Sequence, residues 1–184
     1  MKKKATPQPQ SDTSLKDLFV AQLRDILWTE QKLTKALPKM AKAATNGALR
    51  QALLDHLEET EGQINRLTQV FEEVDETMRA KKCEAMEGLL KEGDEIKEEF
   101  KGTSVLDAGL IVAAQKVEHY EIATYGSLVT FARRLGHHSA ANLLQENLDE
   151  EKAADVKLTE IAESSANEEA ESGNGSKSRN RRGR

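Results

Sequence analysis

Four things are scarce in this sequence, and each shortage excludes something. Aromatic residues make up only 4% of the 184 residues, there are three prolines and one cysteine, and no apolar run is long. A single cysteine, Cys83, can form neither an intrachain disulfide nor a thiolate cage around a metal. Without a run of roughly 18 or more apolar residues, no segment is a candidate for crossing a membrane as a helix. The basic opening MKKKATPQPQ has no apolar stretch behind it, so it does not have the form of a secretory signal. A reduced, cytoplasmic setting is the expectation. The net charge of −5 is an ordinary solubility margin that singles out no nucleic-acid partner. No phosphate-binding glycine loop, nucleotide fold or nucleophilic triad is visible, so no nucleotide cofactor is expected.

What is present is charge and helix-forming residues. Charged residues reach 32%, and Ala, Leu, Glu and Lys are abundant, a mixture that favours helices over sheet. The length suffices for one domain with a real core. Residues 1–13 read as a polar lead. Residues 164–184, SSANEEAESGNGSKSRNRRGR, read as a basic tail. Both are too poor in apolar side chains to offset the entropy of ordering and are expected to be disordered. Lys177, Arg179, Arg181, Arg182 and Arg184 would allow the tail weak contact with an anionic surface such as DNA, although a solubilising tail is the simpler reading.

Residues 14–163 divide into four long helices and one short one. The first is expected from about Ser14 to Ala44, with Ser14 and Asp17 in capping-box spacing and Asn46-Gly47 as its stop. The second is expected from about Ala48 to Asp75. A connector with a short amphipathic helix around Glu84–Phe100 follows. The last two are expected at about Ser104–Leu135, with Ser104 and Asp107 as a second capping box, and His138–Ala162. Pro38 should kink the first helix.

The long helices carry heptad-like apolar seams. In the first, Phe19, Leu23, Ile26, Leu33, Leu37, Met40 and Ala44 leave one slot filled by Glu30. In the helix after Ser104, Leu110, Ala114, Val117, Thr124, Leu128, Phe131 and Leu135 leave one slot filled by Glu121. The two seams superpose with an offset of 91 residues, and Glu30 falls on Glu121. The same offset carries the seam Leu53, Leu57, Thr60, Ile64, Leu67, Phe71 onto Leu144, Leu148, Glu151, Asp155, Leu158, Ala162, and Glu59 onto Glu150. The chain therefore reads as a duplicated helical hairpin, and its simplest assembly is a four-helix bundle with a long crossover between the halves.

A lone carboxylate in a core slot costs several kcal/mol or takes up a proton. Glu30 and Glu121 interrupt complete seams at one repeat position, Glu59 and Glu150 sit mid-helix on the partner helices, and Glu118 lies one turn from Glu121. A pair of metal ions is an economical way to hold such carboxylates together, and oxygen ligands suit iron or manganese. Tyr120 and Tyr125 are expected to pack with their hydroxyls hydrogen-bonded. His119, His137 and His138 are expected at the surface or at helix ends, and Trp28 and Phe19 in the core or at a dimer contact.

The stretches TEQKLTKAL, HLEETEGQINRL, KVEHYEIATYGSL and LDEEKAADVKL resemble the YciF/YciE-type bacterial stress proteins. These are a domain-of-unknown-function family within the ferritin-like, rubrerythrin-related superfamily. The resemblance spans about Leu15 to Glu163. It implies a ferritin-like bundle, a homodimer, a di-metal centre and a link to stress responses, with no defined reaction. Against the superfamily pattern, Glu30 matches the ligand of the first helix. Glu118 and Glu121 match a Glu-x-x-Glu pair, and Glu59 and Glu150 match the leading glutamates of two Glu-x-x-His motifs. The histidines themselves are replaced by Gly62 and Ala153. His56, three residues before Glu59, and the seam residues Glu151 and Asp155 could substitute as ligands. Two functions compete: a carboxylate-bound di-metal protein reacting with oxygen or peroxide, and a non-enzymatic dimeric helical module with a degenerate site.

Overall fold

The computed structural model describes residues 13–179 and is helical throughout, with no strand among the described residues. Five helices build the body: α1 (Leu15–Ala43), α2 (Gly47–Glu73), α3 (Glu84–Glu99), α4 (Leu106–Arg134) and α5 (His138–Ile161). Apart from Thr13, the expected polar lead lies outside the described residues.

Each end of α1 shows how local chemistry sets the boundaries. Ser14 caps α1 through the anticipated box: its hydroxyl accepts from Asp17 N, and Asp17 accepts from Ser14 N at 2.8 Å. Pro38 is accommodated inside the helix, which continues to Ala43. Asn46, expected to help close α1, instead opens α2, its side chain accepting from the backbone N–H groups of Ala48 and Leu49. The second capping box does not form. The residue before α4 is Val105, which makes no side-chain cap. Asp107 turns away from Ser104 and accepts from the backbone N–H groups of Thr45 and Asn46 at 2.8 and 2.9 Å, and from the Thr45 hydroxyl. A tertiary demand outcompetes the local one: the exposed donors of the α1–α2 turn need an acceptor, and α4 supplies it.

These contacts define the topology. The start of α4 meets the end of α1 through Asp107, so the two run antiparallel. Phe19 near the start of α1 stacks on His137 at the start of α5, and Asn46 reaches Ser165 just beyond the end of α5. Going round the bundle, α1, α2, α5 and α4 are therefore each antiparallel to their neighbours. Gly136, at φ 84°, makes the tight α4–α5 turn in a conformation that favours glycine. The arrangement is a ferritin-like four-helix bundle built from two hairpins.

The crossover from α2 to α4 runs the length of the bundle. Lys81 N donates to Arg24 O early in its course, and α3 then lies over α1 and α4. Gly109 permits the close approach, since a Cβ there would stand 2.8 Å from Ile96 Cγ2. Met86 is buried under α3, and Leu89, Leu90 and Phe100 pack against the same core. The apolar face of the connector is thus spent inside the chain.

The chain after α5 also departs from expectation. Instead of becoming disordered at residue 164, it stays helical through a π-helical turn (Ala162–Ala166) and α6 (Asn167–Arg179). Ala166 is buried in the core, and the Ser104 hydroxyl donates to Ala170 O at 3.3 Å. Composition did not anticipate this anchoring because it rests on one small side chain and on hydrogen bonds from Ser104 and Asn46. Lys177 and Arg179 fall on the last turns of α6, while Arg181, Arg182 and Arg184 lie outside the described residues.

Asp107→Ala removes the acceptor for two backbone donors and a hydroxyl. We expect a loss of about 2 kcal/mol of stability, read by urea unfolding, with Asp107→Asn retaining part of it.

Candidate metal centre

Midway along the bundle, the two apolar clusters of the core are separated by a polar layer. Glu30 from α1, His56 from α2, Glu118 and Glu121 from α4 and Glu151 from α5 are all buried. One ligand atom from each of His56, Glu118, Glu121 and Glu151 falls within 4.8 Å of the others. The His56 Nε2 atom stands 3.5 Å from Glu118 Oε2 and 3.6 Å from Glu151 Oε2. Its Nδ1 lies 3.1 Å from Glu59 Oε2. Glu30 completes the layer beside Glu121, and Glu118 lies beside Glu151. The Tyr125 hydroxyl donates to Glu30 Oε1, leaving Oε2 toward the cluster.

The electrostatics are unfavourable without a cation. Burial, then the charge of Glu151, pushes Glu30 up to about 8. Burial also drives Glu118 and Glu121 well above the carboxylate range; His56 opposes the shift at Glu118, while Glu151 and Glu30 add to it at Glu121. His56 shows the converse. Burial alone would lower it, but the surrounding carboxylates, Glu118 foremost, outweigh burial and hold it at about 10. One imidazolium is too little charge for four carboxylates. Glu30 Oε2, Glu118 Oε2, both oxygens of Glu121 and of Glu151, and His56 Nε2 are buried with no hydrogen-bond partner. Buried polar atoms are nearly always partnered, so orphans concentrated in one layer mark a site shaped for something else. Oxygen-rich donors with one imidazole fit a metal ion, and four carboxylate charges equal those of two divalent cations.

Of the residues singled out by sequence, the structure brings together Glu30, Glu118, Glu121, His56 and Glu151. It does not bring in Glu59 or Glu150. Glu59 stands behind His56 with its side chain 44% exposed. Glu150 is held outside the layer by Arg66 and by Gln63 Nε2 at 3.1 Å. Asp155 accepts from Gln115 at 3.2 Å and faces His119, a largely exposed residue. The buried stripe of α2 runs through Leu53, His56, Thr60, Gln63, Leu67 and Val70, whereas Leu57 and Ile64 of the expected seam are only half-buried. The helix is rotated slightly from its most apolar face, and the rotation carries His56 inward.

Comparison with known proteins follows the same lines. Residues 14–171 match the family described as "Domain of unknown function (DUF892)". The chain belongs to this family. It is 50% identical over 159 residues to Protein YciF of Escherichia coli K12, covering 86% of this chain and 96% of that protein. The crystal structure of the E. coli stress protein YciF superposes with a TM-score of 0.78 at 51% identity, over 81% of this chain and 94% of that one. YcfI of Rhodopseudomonas palustris gives the same TM-score, 0.78, at 49% identity, over 80% and 95% of the two chains. A Xanthomonas campestris protein shares the fold at 23% identity, with a TM-score of 0.68 over 86% and 97% of the two chains. No described helix is long and apolar enough to cross a membrane.

Two outcomes follow for the metal-free chain. Glu30 titrates at about 8 when folded against 4.5 unfolded, and His56 at about 10 against 6.5, so the folded state holds more protons. The associated stability is complete below the unfolded values and is lost as pH rises toward the folded ones. The melting temperature in the presence of a chelator should therefore fall steadily from about pH 5.5 to pH 9; a flat or rising profile would contradict this charge distribution. Glu121→Leu should raise the chelated protein's melting temperature by restoring the apolar seam, as calorimetry would show.

Proposed function

We propose that this protein is a stress-response protein, as the relative YciF is described, that binds two metal ions, iron or manganese, in the polar layer of the bundle. The observation that carries the reading is the set of buried carboxylate oxygens without partners in Glu30, Glu118, Glu121 and Glu151. In this reading Glu30, Glu121, Glu118, Glu151 and His56 are the ligands. When bound, such ions supply redox chemistry toward oxygen or peroxide.

The chain's own residues prepare the site in three ways. Glu59 accepts from His56 Nδ1–H, which orients the ring and leaves Nε2 to bind, the arrangement typical of metal-ligating histidines. Tyr125 occupies one oxygen of Glu30 and so fixes which oxygen is free. Arg66 neutralises Glu150 outside the layer, so that carboxylate adds no further uncompensated charge. Leu33, Val117 and Leu158 belong to the apolar core on one side of the layer, and Ile26, Leu27 and Tyr125 to that on the other, which closes the layer off along the bundle axis.

The test is metal content. The chain purified with Fe(II) or Mn(II) should carry about two ions per chain, the stoichiometry of carboxylate-bridged bundles, measured by plasma mass spectrometry. Glu30→Ala, Glu121→Ala and Glu151→Ala should each lose metal, while Glu150→Ala should retain it. A wild type without metal, or ligand variants that bind as well as it does, would overturn the reading.

A further inference from the structure

An ion can reach the polar layer only where the bundle admits it, and exposure across the five ligands is uneven. Glu30, Glu121 and Glu151 are 0% exposed, Glu118 is 2% and His56 is 6%. The two residues with any exposure are the two that line a cleft of about 290 Å³ between α2 and α5. Both also have an unpartnered buried atom, His56 Nε2 and Glu118 Oε2. The lining combines the buried Leu53 and Leu158 with two side chains that carry unsatisfied ligand atoms, a feature an ordinary apolar packing gap lacks.

The walls explain why the cleft stays open. Ala52 on α2 faces Ala153 and Ala154 on α5, so single methyl groups stand where two packed helices would ordinarily interdigitate larger side chains. The lining also includes Asp55 and Glu59 on α2 and Lys157 on α5. Asp55 is exposed, and Glu59 is partly exposed, with its carboxylate on His56 Nδ1. Lys157 is largely solvated, 3.9 Å from Glu160. Among the exposed lining groups two carboxylates, Asp55 and Glu59, stand against one ammonium, Lys157, so the outer part of the cleft is net negative and concentrates cations, while the His56 imidazolium is buried beneath it.

We propose that this cleft is the path by which a divalent cation reaches the metal centre, with Asp55 and Glu59 drawing it in and His56 and Glu118 receiving it first. The proposal rests on the metal-binding reading above. The small residues at 52, 153 and 154 are then rate-determining for uptake without being ligands. Lys157 opposes the attraction and sets its strength.

The experiment follows uptake of Co(II) by the metal-free full-length chain in stopped flow, using the visible absorption of bound cobalt. Ala154→Leu and Ala52→Leu should slow loading with unchanged final Co(II) per chain. Ala123→Leu, on the exposed face of α4, should load at the wild-type rate. Two isosteric or near-isosteric variants test the charges without filling the cleft. Asp55→Asn should slow uptake and Lys157→Gln should speed it, and both differences should shrink as salt is raised. If the wild type takes up no Co(II), the metal-binding reading itself fails. If the wild type loads but the leucine variants load as fast, the path is elsewhere. Should a leucine variant lose its end point through misfolding, the charge variants decide: rates that do not move in opposite directions overturn the proposal.

Discussion

The structure is organised around four carboxylates buried in the middle of a helical core, most of whose oxygens have no hydrogen-bond partner. Leaving even one ionised carboxylate unpaired in such a place costs several kcal/mol. Here Glu30, Glu118, Glu121 and Glu151 share one layer with a single imidazole. The rest of the design works around that charge. Tyr125 holds Glu30, Glu59 holds His56, and Arg66 keeps Glu150 out of the layer. Above and below, apolar clusters provide the stability that the polar layer lacks.

Assembling the layer requires four helices in fixed register, and the contacts that set the register lie far from it. Asp107 ties the start of α4 to the α1–α2 turn, and Asn46 reaches Ser165 at the same end. At the other end, Phe19 stacks on His137, and Glu76 beyond α2 pairs with Lys16 and Arg24 of α1. Clamping both ends leaves the middle of each helix little freedom to slide. The ligands can then be set by side-chain rotamers on rigid helices, which hold a site more exactly in place than loops do.

Much of this could be read from the seams. Glu30 and Glu121 interrupt apolar heptads at positions 91 residues apart, and both are fully buried. The same offset placed Glu151 in a seam slot, and Glu151 is fully buried as well. Glu150 was favoured as a ligand by its match to a superfamily motif, yet it sits one position round the helix, within reach of Arg66. One residue is about 100° of helical turn, enough to move a side chain from the core to its margin. The seam, which reports burial directly, was the better guide to position. For α2 it was less reliable. Leu57 and Ile64 look like core residues, but His56 and Gln63 are the buried ones.

The helices, their pairing into two hairpins and the interruption of the core by glutamates are legible along the chain. All of these follow from period and repeat, which are properties of neighbours along the chain. Packing between helices sets which face of α2 turns inward, that Asp107 serves the α1–α2 turn, that the chain stays helical beyond α5, and that a cleft leads to His56 and Glu118. Each of these depends on a partner many residues away: a set of carboxylates that draws an imidazole inward, a pair of backbone donors that needs an acceptor, a small hollow that accepts Ala166. A hydrophobic pattern records where a side chain prefers to be, whereas the charge balance of a buried layer exists only once four helices have met.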